Sequence, residues 1–248
     1  ALPIYHSLRA DLQLTNMAGA SNAMSQILKF YPTAGLADNS LLLVGESYED
    51  MNRPEAARAL YRKFDEMYPE MPLRARVDLA IARSYEREDD WRAAIGQYQN
   101  WLENFPTNAL RPQADYALAW ATFQAGDETN ALDLFTKFLA QFPTNELSPQ
   151  AQWWIGDYFY RLGGTSYVAA ETNYEFIFQN PGWQNSSLIY PARMMAGRAA
   201  LGRNGYKDAI RYFTGLINDT NCPAELGVQA RFACGGALMQ MPAADTNN

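Results

Sequence analysis

Residues 151–164 read AQWWIGDYFYRLGG, with two tryptophans, a glycine and three further aromatics in close succession. Aromatic faces stack on flat ligands and anchor partner chains. The same run also fits a membrane stripe or a plain helix core. Sixteen Arg against four Lys add planar donors suited to bidentate and stacking contacts. Carriers of other chemistry are scarce. His6 is the single histidine, and it has no Cys or carboxylate at ligand spacing, so it reads as a surface or packing residue and not as a metal ligand. No phosphate-binding GxxxxGK[ST] or GxGxxG motif occurs, and no GxSxG nucleophile elbow. Glu88-Asp89-Asp90 sits at a turn and reads as a solvated helix start, since acidic residues favour the first helical turn. Asn185-Ser-Ser and Asn218-Asp-Thr match the glycosylation acceptor pattern, which two chance matches would equally explain. The sequence therefore predicts no catalytic residues, no cofactor and no metal.

The chain has 248 residues, 48% of them hydrophobic and 19% charged, which suits a folded protein with a sizeable core. A net charge of −7 argues against general nucleic-acid binding, which needs clustered cations to replace phosphate counterions. No run of eighteen apolar residues is present, so no transmembrane helix and no direct membrane insertion are expected. Cys222 and Cys234 are too few for a disulfide framework. Cys234 is expected to point inward as a small hydrophobe, with a bridge to Cys222 conceivable.

The positioning elements show up as a repeat. Tyr31-Pro32, Tyr68-Pro69, Phe105-Pro106 and Phe142-Pro143 recur every 37 residues, and Asn180-Pro181 follows 38 after the last. Between them lie SLLLVG, VDLAIA, ADYALA, AQWWIG, ARMMAG and ARFACG, each ending in Gly or Ala. Twelve residues after that small residue comes Ala57, Ala94, Ala131 or Ala209, and four further on Tyr61, Tyr98, Phe135 or Phe213. This is the pattern of antiparallel helix pairs. Small residues let two backbones approach, aromatics fill the gap, and proline ends the second helix. Such pairs bury a core only by stacking on their neighbours.

Small residues at positions 8 and 20, an aromatic at 24 and proline at 32 resemble the tetratricopeptide repeat. The resemblance covers nearly the whole chain. It implies an all-α, right-handed superhelical solenoid forming a single array over 1–248. Six repeats fall near 1–37, 38–74, 75–111, 112–148, 149–187 and 188–226, and a partial seventh spans 227–248. The first is degenerate, with Leu8 in the small position. The fifth holds about two extra residues, so that Gly156 pairs with Ala170 and Tyr174. In this family the first helices line the concave surface through positions 2, 5, 9, 12 and 13. Mapped here, that surface gathers Tyr116, Trp120, Phe123, Trp153 and Tyr160, flanked by Arg83, Arg87, Arg161 and Arg198. Trp, Tyr and Arg dominate binding hot spots, so this set is the expected site for an extended peptide or partner helix. The competing reading is that tight curvature buries these rings against adjacent helices. The Lys/Asn/Arg clamp of chaperone-binding members has no match at Leu42 and Glu46, Leu79 and Arg83, or Tyr116 and Trp120.

The A-x-[YW]-x-[LI]-[GA] opening of the first helices and the aromatic-Pro ending followed by TN are similar to the periplasmic Tol-Pal-associated coordinator family and BamD-like outer-membrane-assembly lipoproteins. This resemblance implies a periplasmic or cell-envelope location, with the cytoplasm as the alternative. The leading expectation is a non-catalytic scaffold that binds a protein or peptide. The alternative is an architectural or self-assembling segment of a longer envelope protein. The last helix, VQARFACGGALMQM, is apolar on too many sides for a terminal cap, so the expectation is a fragment of a longer array or an end that docks on something. A sugar-stacking enzyme is a third reading. It would need Asp157 paired with Glu86 or Glu46 as its two carboxylates.

Overall fold

A computed structural model describes residues 1–32, 35–68 and 73–242. Pro69 of the second aromatic–proline pair and residues 243–248 of the seventh repeat lie outside the described residues. Among those described there are thirteen α-helices, two short 3-10 turns and no strand. The chain divides into two compact units, Ala1–Gly126 and Asp127–Asn248, and the division falls between the two helices of the fourth repeat.

The first unit holds α1 (Leu2–Gln13), α2 (Met17–Phe30), α3 (Gly35–Asp50), α4 (Pro54–Met67), α5 (Arg74–Glu86), α6 (Trp91–Asn104) and α7 (Arg111–Gln124). The second holds α8 (Glu128–Gln141), α9 (Ser148–Leu162), α10 (Tyr167–Gln179), α11 (Ile189–Gly202), α12 (Tyr206–Ile217) and α13 (Ala224–Gln240). Consecutive helices pack on one another within each unit. The short turns between them make neighbours antiparallel.

The turn from the first to the second helix of a pair carries the period in its backbone. Thr15, Asn52, Asp89, Gly126 and Gly163 all have positive φ, and each follows the previous one by 37 positions. Asn, Asp and Gly tolerate this left-handed region at little cost. Asp90 then caps α6 by accepting the Ala93 N–H at 3.1 Å. The aromatic of each aromatic–proline pair closes a second helix. The N–H groups of Tyr31, Tyr68, Phe105 and Phe142 donate to the carbonyls of Ile27, Phe64, Trp101 and Phe138.

The core contacts follow the small–aromatic pattern. Tyr61, Tyr98, Phe135, Tyr174 and Phe213 are fully buried, as are Ala57, Ala94, Ala131, Ala170 and Ala209. At Gly156 an added Cβ would fall 2.8 Å from the Tyr174 ring, so the expected pairing across the longer fifth repeat holds. The extra residues are absorbed in a 3-10 turn at Gly164–Ser166, entered through Gly163 and Gly164, both at positive φ. Leu8, in the small position of the degenerate first repeat, is also buried. Cys222 and Cys234 are free thiols and half-buried.

Asp65 on α4 and Asp78 on α5 share a partly buried site beside Arg74. Burial, and then Asp78, push the Asp65 carboxyl up to about 7, and burial also raises Asp78. A folded-state pKa above the unfolded value means that stability is fully present below about pH 4 and lost as pH rises through about 7. Asp65→Asn is therefore expected to stabilise the chain by about 1–2 kcal/mol at pH 8, after discounting for solvent screening, and to be neutral at pH 4. Urea unfolding of both proteins at the two pH values checks this.

Candidate partner-binding faces

The first-helix pattern puts two kinds of residue on α7. Ala114, Leu118, Ala119 and Ala121 are buried, leaving Tyr116, Trp120 and Phe123 on the remaining face. Trp120 is 36% exposed, and its ring packs on Phe123 with centroids 5.5 Å apart. Tyr116 and Phe123 are half-buried. Burial pushes the Tyr116 hydroxyl above its ordinary value. The first unit thus presents one exposed indole on a platform of two partly buried rings.

α5 supplies the arginines of this unit. Arg87 caps the helix and reaches α3, with Nε 3.0 Å from Glu49 and Nη1 3.1 Å from Asp50. Arg83 is exposed and acts electrostatically on Glu86 and on Tyr98, which donates to Glu86 at 2.9 Å. Glu46, Glu49, Asp50, Tyr61, Arg83 and Arg87 line a cavity of about 220 Å³ between α3 and α5. Arg87 therefore belongs to an intramolecular ion-pair cluster.

In the second unit, α9 separates the adjacent tryptophans. Trp154 is buried, with its ring 4.6 Å from Phe135, whereas Trp153 is half-buried. Trp153 meets Tyr174 edge-on at 5.3 Å, and Tyr160 meets Tyr167 at 5.3 Å and Tyr174 at 6.5 Å. Tyr174 also donates to Asp157. Trp153 and Tyr160 thus belong to one tyrosine-centred cluster with partial exposure. Packing claims part of each ring, and the rest stays accessible. Arg161 lies 3.2 Å from Glu128, both side chains nearly half exposed. Arg198 is exposed and donates to the Met195 sulfur at 3.7 Å.

The nine candidate residues divide between the units, with Arg83, Arg87, Tyr116, Trp120 and Phe123 in the first and Trp153, Tyr160, Arg161 and Arg198 in the second. The carboxylates weighed for acid/base chemistry have tyrosine partners, Asp157 with Tyr174 and Glu86 with Tyr98. Among the described residues, no group of three or more His, Cys, Asp or Glu is placed to hold a metal, and no helix is long and apolar enough to cross a membrane.

This geometry is that of the tetratricopeptide-repeat fold. Residues 39–70 and 79–146 match tetratricopeptide-repeat family profiles. The solved structures it resembles include BtubC (BKLC) from P. vanneervenii, with a TM-score of 0.66 at 13% identity over 93% of each chain. The pilF protein of Pseudomonas aeruginosa gives 0.57 at 17% identity, over 92% of this chain and 96% of that one. A tetratricopeptide repeat protein from Parabacteroides merdae gives 0.54 at 12% identity, over 98% and 96%. No curated protein sequence matches significantly. These likenesses establish the all-α repeat fold. The narrower similarity to the Tol-Pal-associated coordinator and BamD-like families is not confirmed by them.

Proposed function

We propose that the chain is a non-catalytic scaffold that binds a peptide segment or partner protein through the first-helix faces of α7 and α9. Tetratricopeptide-repeat domains generally mediate protein–protein interaction, and proteins built from them are generally non-catalytic. The observation that carries the finer reading is Trp120. An indole 36% exposed beside Phe123 costs apolar hydration in the free chain and gains it back under a partner. Trp153 and Tyr160 offer a second, shallower anchor in the other unit. Arg83 and Arg198 are the arginines best disposed to orient a partner, because Arg87 and Arg161 already hold carboxylates.

Affinity capture with the purified chain as bait tests this. The Trp120→Ala and Trp153→Ala variants are expected to bind the captured partner about tenfold or more weakly while keeping the helical circular-dichroism spectrum of the parent. Equal binding by parent and variants would move the site off these faces.

The cell envelope is our proposal for location. It is supported by the repeat opening of ADYALA and AQWWIG and by the scarcity of Lys. Fractionation of the native host, with the chain recovered in envelope and not cytosolic extract, is the expected result.

A further inference from the structure

The chain has four lysines, and two of them, Lys29 and Lys63, stand at one cavity. The cavity measures about 380 Å³ and lies among α2, α3 and α4 of the first unit. Small-molecule sites span roughly 300–1,000 Å³ and are mostly apolar, with a few polar groups at fixed places. The walls here include Met24, Leu28, Leu41 and Phe64, all buried. Lys29 and Lys63 are exposed at the edge. The Lys29 ammonium lies 5.3 Å from the ring centre of Phe30. Among the described residues no carboxylate forms an ion pair with it or with Lys63.

The repeat itself does not require this composition. In the next repeat, 37 positions on, Leu28, Leu41 and Leu60 give way to Asp65, Asp78 and Gln97. Lys29 and Lys63 give way to Glu66 and Asn100. Where α2 carries Ser21 and Ser25, α4 carries Arg58 and Arg62. Those arginines span the distance to α5. The Arg58 guanidinium lies over the Tyr85 ring at 4.3 Å, and Arg62 donates to the Tyr85 hydroxyl at 2.7 Å. The two serines are too short to span such a gap, and both line the cavity. The trough beside α2 is therefore apolar with a basic edge, while the equivalent residues one repeat later are polar and acidic.

Apolar walls favour a hydrocarbon, and two ammonium groups without carboxylate partners favour an anion. One turn of helix, about 10 Å wide and about 5.4 Å long, already exceeds this volume. A single hydrocarbon chain does not. Lys29 stands in the last turn of α2, and a helix C-terminus disfavours negative charge. A head group with one charge is thus preferred over a dianionic phosphate. We propose that the cavity binds a fatty acid, with its methylene tail on Met24, Leu28, Leu41 and Phe64 and its carboxylate between Lys29 and Lys63. This site is separate from the aromatic faces of α7 and α9 and does not depend on them.

The test is calorimetric titration of the full chain with sodium dodecanoate below its micelle-forming concentration. Saturable binding is expected, at least about tenfold tighter than that of octanoate, because the longer tail buries more methylenes. Lys29→Glu/Lys63→Glu is expected to weaken it about tenfold by reversing both charges at the edge. Ser25→Phe, which fills the cavity from α2, is expected to weaken it at least as much. Both lysines and Ser25 are exposed, and the Ser25 hydroxyl serves only the Ser21 carbonyl of its own helix. The variants are therefore expected to keep the parent's circular-dichroism spectrum and thermal midpoint. Absence of saturable binding, or binding unchanged by either variant, overturns the proposal. Capture by phosphatidylglycerol vesicles without saturable dodecanoate binding also overturns it, by making a membrane surface the occupant.

Discussion

Gly197→Ala is expected to destabilise the second unit by about 2–3 kcal/mol, while Gly235→Ala leaves it unchanged or more stable by about 0.5–1 kcal/mol. The two glycines occupy the same repeat position on successive first helices. At Gly197 the new methyl would lie 2.8 Å from Cζ of a fully buried phenylalanine, and closer still to Cε1. That ring has no solvent to retreat into, so α11 and α12 must separate. The intrinsic helix preference of alanine over glycine offsets part of the cost. At Gly235 the methyl meets open space, and only the helix preference remains. Urea unfolding followed by tryptophan fluorescence reads both variants. Adding Phe213→Leu to Gly197→Ala is expected to recover part of the loss.

The second large effect is expected at Glu171. This carboxylate is 8% exposed and carries three hydrogen bonds. Arg203 donates from Nε to Oε2 at 2.5 Å and from Nη2 to Oε1 at 3.0 Å, and the Tyr212 hydroxyl donates to Oε1 at 3.1 Å. Arg203 also bonds Asp208, and the two carboxylates together raise its already high pKa. Glu171→Ala leaves a guanidinium and a buried phenol short of acceptors between α10 and α12. Removing one partner of a buried ion pair costs about 3–5 kcal/mol. Arg203 is 28% exposed and keeps Asp208, so about 2–3 kcal/mol is expected here. Glu171→Gln, which keeps a hydrogen-bonding side chain of the same shape, is expected to lose about half as much. Thermal unfolding of the three proteins at pH 7 orders them.

The repeat architecture was legible because its period is enforced by contacts that few residue types can make. Gly45, Gly156 and Gly197 are small because an aromatic ring lies against each, and Asn52, Asp89 and Gly126 stand where the backbone turns left-handed. Even the irregular fifth repeat could be read, since Gly156 had to find Tyr174. Charge partners were harder to read. Arg87 pairs with Glu49 and Asp50 of the preceding repeat. Asp50 and Arg87 occupy the same position of adjacent repeats, 37 residues apart, which was the available signal. Buried Arg58, whose guanidinium lies over Tyr85 at 4.3 Å and meets Glu88 at 2.5 Å, gave none. The acidic run at 88–90 was expected to be a solvated helix start, and Asp90 fills that role as a cap while Glu88 turns to Arg58.

The aromatic run that first suggested a site was ambiguous for a physical reason. A first helix in a stacked array is covered on more than one side, so apolar periodicity no longer separates a core ring from an accessible one. Adjacent Trp153 and Trp154 show the difficulty, one half-buried at the edge of Tyr174 and the other enclosed against Phe135. Trp120 stands out only once its 36% exposure is seen.

Site-specific photocrosslinking tests the central claim most directly. Benzoylphenylalanine placed at 120 or at 153 in the chain, in its native host, is expected to trap the same discrete partner. The same group in place of Phe176, 50% exposed on the second helix α10, is expected to trap none. A partner trapped from position 176 but not from 120 or 153 would contradict recognition through the first-helix faces.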